Sequence, residues 1–212
     1  MRSCRRGARL IWTVRLSASD INRAMPLANL SRRPQREVER LKHENTVLRS
    51  RLAFFQQHPT LAMGLRGESI VAKLVRGTMV AGNAPHDVVT KRGHRIEVKY
   101  SGLNAPVRGR DTRRWVWTKV FGESGRKKYD RLLLVGLPDQ RFSSSYKDRR
   151  AAFVLFDVPI VRVRELAVPV QGGRYTAIFL TTNPLTTRSV RSSKLFGEYQ
   201  VTVSELRTRY GL

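Results

Sequence analysis

Between residues 34 and 58 the apolar positions Val38, Leu41, Leu48, Leu52 and Phe55 recur at alternating spacings of three and four, with Asn45 filling the place between Leu41 and Leu48. That period predicts a helix, opened by Pro34 and closed by His58-Pro59. From Thr60, TLAMGLRGESIVAKLVRG keeps a broad apolar face of Leu61, Leu65, Ile70 and Leu74, so a second helix is predicted, ended by Gly77. Then the period shortens to two. HDVVT, the polar tetrapeptide KRGH and RIEVKYS read as a β-hairpin with Gly93 in its turn. RWVWT places Trp115 and Trp117 on one strand face, where core packing is expected over base stacking. RLLLVGL is a continuous apolar run, expected of a strand buried on both faces. AAFVLFDVPIVRV and RYTAIFL predict two further strands, and VTVSELRTRYGL a short helix capped by Ser204. This alternation predicts an α/β fold with a mixed central sheet flanked by helices.

The first helix carries more than its period. With Val38 at heptad position a, the seam is Val38, Leu41, Asn45, Leu48, Leu52 and Phe55, with a lone Asn at an a position. Glu37 and Glu44 then fall at g and Lys42 and Arg49 at e, so a parallel pair of helices would place Glu37 against Lys42 and Glu44 against Arg49 of the second copy. The expected organisation is a basic N-terminal arm over residues 1–33, a zipper-like helix over 34–58 that makes a homodimer, and one domain over 60–212.

Charge changes the picture most. The 212 residues hold 41 Lys plus Arg against 16 Asp plus Glu, a net charge of +25. The first 33 residues contain eight arginines and one acid, Asp20, and without them the charge is still +18, so basicity belongs to the whole chain. Such a field attracts polyanions, and nucleic acid is the expected partner. Residues 1–30 have the look of an organellar transit peptide, but a flexible basic arm or an extension upstream of a start at Met25 is the expectation, and the sequence leaves both open. No apolar run approaches membrane-spanning length, so no membrane partner is expected. The single cysteine, Cys4, excludes an internal disulfide and a cysteine-based zinc finger. His43, His58, His86 and His94 are scattered and suggest no ligand pair.

The hairpin poses a chemical question. Asp87 lies on its first arm, and Glu97 and Lys99 share one face of its second, with Val98 turned the other way. Two carboxylates on adjacent strands can converge on one hard divalent cation, and a nearby ammonium can orient water and offset charge on a phosphate. A helix bearing Glu68 precedes them.

Helix with Glu68, strand with Asp87, strand with Glu97-Val98-Lys99: in this order the chain resembles the PD-(D/E)xK nuclease superfamily over residues 60–137. One departure is that Pro85 stands two residues before Asp87, with His86 between. The resemblance implies a restriction-endonuclease-like core and Mg²⁺-dependent hydrolysis of duplex DNA, with Mn²⁺ able to substitute and no organic cofactor. It implies Asp87, Glu97 and the backbone carbonyl of Val98 as metal ligands, Lys99 as the catalytic lysine and Glu68 as a further catalytic acid. A type II-like restriction endonuclease acting as a homodimer in a bacterial or phage-like cytoplasm is the expectation. A homing, repair or junction-resolving nuclease and a non-catalytic, zipper-dimerised DNA-binding protein are the alternatives.

Basic segments surround this core. Arg108, Arg110, Arg113 and Arg114 precede the tryptophans, and Arg126, Lys127 and Lys128 follow them. Arg141, Lys147, Arg149 and Arg150 form a third group, and Arg188, Arg191 and Lys194 a fourth. All fourteen are expected to contact nucleic acid, mostly its phosphates.

Overall fold

The computed structural model describes residues 28–81, 84–105, 112–122, 127–186 and 189–212. The chain divides into two units, Met1–Phe54 and Phe55–Leu212. Of the arm expected over 1–33, residues 1–27 lie outside the described residues.

The heptad segment is one helix, α1 (Ala28–Gln57). It starts six residues before Pro34, which lies inside it rather than opening it. A proline removes one i→i−4 bond and crowds the preceding turn, yet helix continues on either side. The seam positions Val38, Leu41, Leu48 and Leu52 are exposed, and Phe55 is half-buried. Along the solvated face Arg40 binds Glu37 at 2.5 Å and Glu44 at 2.6 Å, and Lys42 binds Glu39 at 2.9 Å. These are neighbours one helical turn apart, each contributing a few tenths of a kcal/mol, roughly.

In the second unit α2 (Pro59–Leu74) leads into β1 (Thr78–Met79), β2 (Val88–Val89) and β3 (Arg95–Ser101). After β4 (Arg114–Thr118) come β5 (Arg131–Gly136), β6 (Val154–Pro159) and α3 (Ile160–Leu166). β7 (Val168–Val170), β8 (Tyr175–Thr181), α4 (Val190–Lys194), β9 (Gln200–Val201) and α5 (Val203–Arg209) follow. A six-stranded mixed sheet runs in the order β1-β2-β3-β5-β6-β9, and β4-β8-β7 form a second, antiparallel sheet. β3 and β5 are parallel, and every other pairing is antiparallel.

The run RLLLVG is apolar throughout because β5 is covered on both sides. Leu132 and Leu134 enter a core with Trp115, Trp117, Phe156 and Ile178, under the second sheet. Leu133 and Val135 enter another with Val71, Val75, Ile96 and Val98, beneath α2 and α5. Both tryptophans are fully buried, as core packing requires. Their indole N–H groups donate to the carbonyls of Leu137 (2.8 Å) and Val135 (3.1 Å), so the second sheet is bonded to β5 and its exit.

Two predicted elements differ. The segment 151–163 is not one strand: β6 stops at Pro159, and Ile160–Leu166 is helical. Proline ends the ladder, and Val163 and Leu166 are buried three residues apart while Val161 is exposed. The cap of α5 is Thr202, not Ser204. Thr202 Oγ1 accepts from the Glu205 amide at 3.1 Å, and Glu205 accepts from the Thr202 amide at 2.8 Å.

The fully buried Asp157, on β6, lies among apolar neighbours. Arg131 binds it at 2.5 Å, Arg209 at 2.6 Å, and the Tyr210 hydroxyl donates to it at 3.4 Å. Burying a carboxylate is costly unless it is paired in this way. The side chain therefore ties α5 to β5 and β6.

Candidate active site

Gly93 closes the hairpin with φ of +80°, a conformation that favours glycine, and its amide donates to Thr90 at 2.9 Å. The register pairs Val88 with Ile96 and Val89 with Arg95. Asp87 stands immediately before β2, and its main chain is held from both sides. Its amide donates to Ile96 (3.0 Å) and its carbonyl accepts from Val80 (3.0 Å). On β3, Ile96 and Val98 face α2, so Glu97 and Lys99 face the other way.

The side chains converge. Asp87 Oδ2 accepts from the Val98 amide at 2.8 Å. Lys99 Nζ lies 2.7 Å from Glu97 Oε1. Lys127 Nζ bridges the two acids, 3.1 Å from Asp87 Oδ1 and 2.9 Å from Glu97 Oε2. Glu97 has no exposed surface, whereas the lysine side chains are each 22% exposed, so the site opens through its cations. Burial drives the Glu97 carboxyl above the ordinary range, with Lys99 opposing and Asp87 reinforcing. Burial acts against the Lys127 charge too, but Glu97 and then Asp87 outweigh it and hold its pKa above that of a free lysine.

Glu68 comes from α2. Its neighbour Gly67 is what lets the helix approach: a Cβ there would meet Tyr100 Cβ, on β3, at 2.7 Å. The half-buried Glu68 carboxyl is pushed above its ordinary range by burial and then by Asp87, with Glu97 adding and Lys99 and Lys127 opposing. Gly67→Ala should therefore lower stability by about 1–3 kcal/mol through overpacking, read as a lower denaturant midpoint. An unchanged midpoint would mean that the helix-to-strand contact is slack.

Asp87, Glu97 and Lys99 are thus brought together, and Glu68 lies near enough to feel the charges of all three. In a strand the N–H and C=O of one residue point to the same edge. The Val98 carbonyl accordingly faces the side on which its amide meets Asp87. Among the described residues no group of three His, Cys, Asp or Glu stands close enough to hold a metal ion. The donors are two carboxylates and a carbonyl. Mg²⁺ commonly takes one or two carboxylates and completes its shell with water and phosphate. The fit is direct, because one ammonium already touches an oxygen of each acid.

Lys127 is expected among the phosphate-contacting cations, and its ammonium stands between the two carboxylates. The Lys128 amide donates to the Pro85 carbonyl at 2.9 Å, pinning this connection beside Asp87. The only sequence signal is its place four residues before the buried strand β5.

The other expected phosphate contacts divide. Arg108, Arg110, Arg126 and Arg188 lie outside the described residues. Arg141 is committed to the nearly buried Asp139, at 2.7 Å, and Lys147 to Glu205, at 2.7 Å. Lys194 binds the Glu165 carboxylate at 3.0 Å and Arg191 the Glu165 carbonyl at 3.1 Å. These four serve the body's own acceptors. Arg113, Lys128, Arg149 and Arg150 are exposed, and Arg114 is half-exposed. Compared with known proteins, the chain matches no family model and no curated protein. Among the described residues, no helix is long and apolar enough to cross a membrane.

Proposed function

We propose that this protein is a metal-dependent DNA endonuclease of the PD-(D/E)xK type, with a restriction-endonuclease-like core and a homodimeric assembly that cuts both strands of a duplex. Type II-like restriction is the role assigned, with homing, repair and junction resolution drawing on the same chemistry. One observation carries the reading: Asp87 and Glu97, from adjacent strands, meet at a single cation, with Lys99 on the remaining oxygen of Glu97.

Asp87 Oδ1, Glu97 Oε2 and the Val98 carbonyl would hold Mg²⁺, or Mn²⁺ in its place. The ion would supply Lewis acidity at the phosphate and lower the pKa of water. Asp87 is kept in position by the Val98 amide. Lys99 projects from the same face as Glu97 and carries positive charge to where the pentacovalent phosphate gathers negative charge. It also donates hydrogen bonds that align water for in-line attack. Glu68, whose carboxyl is pushed above its ordinary range, is suited to exchange a proton at the rim of the site.

The test is conversion of supercoiled plasmid to nicked and linear forms with Mg²⁺, and its loss with chelator. Retained duplex binding without any cleavage at any divalent ion would instead favour a zipper-dimerised DNA-binding protein. Binding itself should follow the charge. Because the net charge is +25, log affinity should fall linearly with log salt at a slope of about −5 or steeper, as for roughly six phosphates. A nearly salt-independent affinity would refute a phosphate-dominated interface.

A further inference from the structure

The two acids that would hold a divalent cation already share an ion-pair contact with one ammonium, and it is not that of the Glu-x-Lys lysine. Among the described residues, Lys99 pairs with Glu97 Oε1 and not with Asp87. Lys127 takes Asp87 Oδ1 and Glu97 Oε2, one oxygen of each acid. A divalent ion shared by both acids needs those inner oxygens. It therefore competes with Lys127 and leaves the Lys99 contact in place.

We infer that Lys127 is an internal counter-ion that competes with the divalent cation, so that loading the site requires Lys127 to leave the carboxylate pair. This rests on the metal-dependent reading above. Three features support it. Glu97 is fully buried, and a buried carboxylate without a cation is costly, so some positive charge is needed there before metal arrives. Lys127 comes from the connection between β4 and β5, not from a strand, and its main chain is fixed independently of the side chain. Its own amide donates to Phe121 at 3.4 Å and that of Lys128 to Pro85 at 2.9 Å. Its stem is a flexible four-carbon chain with a compact charge, so the ammonium can withdraw without moving the backbone. Withdrawal leads outward, since the side chain is 22% exposed. An ammonium released at the mouth of the site is then available to the anion that arrives, a phosphate of the nucleic acid.

The experiment measures Mn²⁺ binding to the full-length, DNA-free protein by isothermal titration, with free Mn²⁺ followed in parallel by electron paramagnetic resonance. Wild type is compared with Lys127→Met and Lys127→Gln. The glutamine is uncharged but polar, which gives a second variant should the methionine one fail to fold. Glu97→Gln serves as the site control and should bind no Mn²⁺. Removal of the competitor should tighten Mn²⁺ binding at least tenfold in either folded variant. Equal or weaker binding would overturn the inference while leaving the metal site intact, because Lys127 would then merely prop the acids apart. No Mn²⁺ binding by any of the proteins would sink the metal-dependent reading and the inference together.

Discussion

Asp87→Ala and Glu97→Gln should each lower plasmid cleavage by more than about a thousandfold while duplex binding survives. The reason is their convergence: each supplies one of the two inner oxygens around Lys127 Nζ, and neither has a substitute among the described residues. The glutamine keeps the shape of a fully buried side chain while removing its charge and one of its two acceptor oxygens, so loss of activity would not be a packing effect. Lys99→Ala should also slow cleavage by several orders of magnitude. Its side chain is partly exposed and bonded to one carboxylate oxygen, so the fold should tolerate its loss. Circular dichroism and filter binding on the same preparations separate chemistry from folding and affinity. Full activity in the Asp87 or Glu97 variant would remove the hairpin from the catalytic role.

Leu41→Lys combined with Leu48→Lys should convert the proposed dimer to monomers. Val38, Leu41, Leu48 and Leu52 are about half exposed or more on α1, a costly arrangement for four large side chains unless a second surface covers them. A parallel partner would cover them and set Asn45 against its counterpart, which favours two strands in register. In a single helix Glu37 and Glu44 are already satisfied by Arg40. Pairing with Lys42 and Arg49 of a second copy would exchange one set of exposed contacts for another, contributing about 0–1 kcal/mol each. The apolar seam must therefore supply nearly all of the association, and two lysines within it should abolish it. Those monomers should nick plasmid, with linear product only at high protein concentration. Sedimentation decides: identical species for wild type and variant would rule out the zipper.

The hairpin was readable because its determinants are local. Gly93, the alternation around it and the shared face of Glu97 and Lys99 all lie within fifteen residues. β5 announced itself through an unbroken apolar run, since both of its faces are covered. Lys127 did not, because its position depends on the parallel β3–β5 pairing and on a bond from Lys128 to Pro85, contacts that no local pattern encodes. Its neighbour Lys128, of the same type, is exposed. The helix α3 was hidden by β-branched residues that suit a strand, and only Pro159 marked the change. Asp157, inside the apolar run VLFDVP, is not signalled by any local pattern, because its partners Arg131, Arg209 and Tyr210 are all distant in sequence.

The Asp157 cluster also sets a time order on synthesis. Chains emerge from the ribosome N-terminus first, and domains generally complete folding as units. The hairpin, α2 and β5 are translated long before Arg209 and Tyr210, two of the three groups that neutralise or bond this buried carboxylate. Until those residues clear the exit tunnel, Asp157 has only Arg131 and the core beneath α5 is uncovered. A nascent chain stalled short of Arg209 would thus carry Asp87, Glu97 and Lys99 on an unfinished sheet. The body, and with it the site, would close only once α5 has emerged.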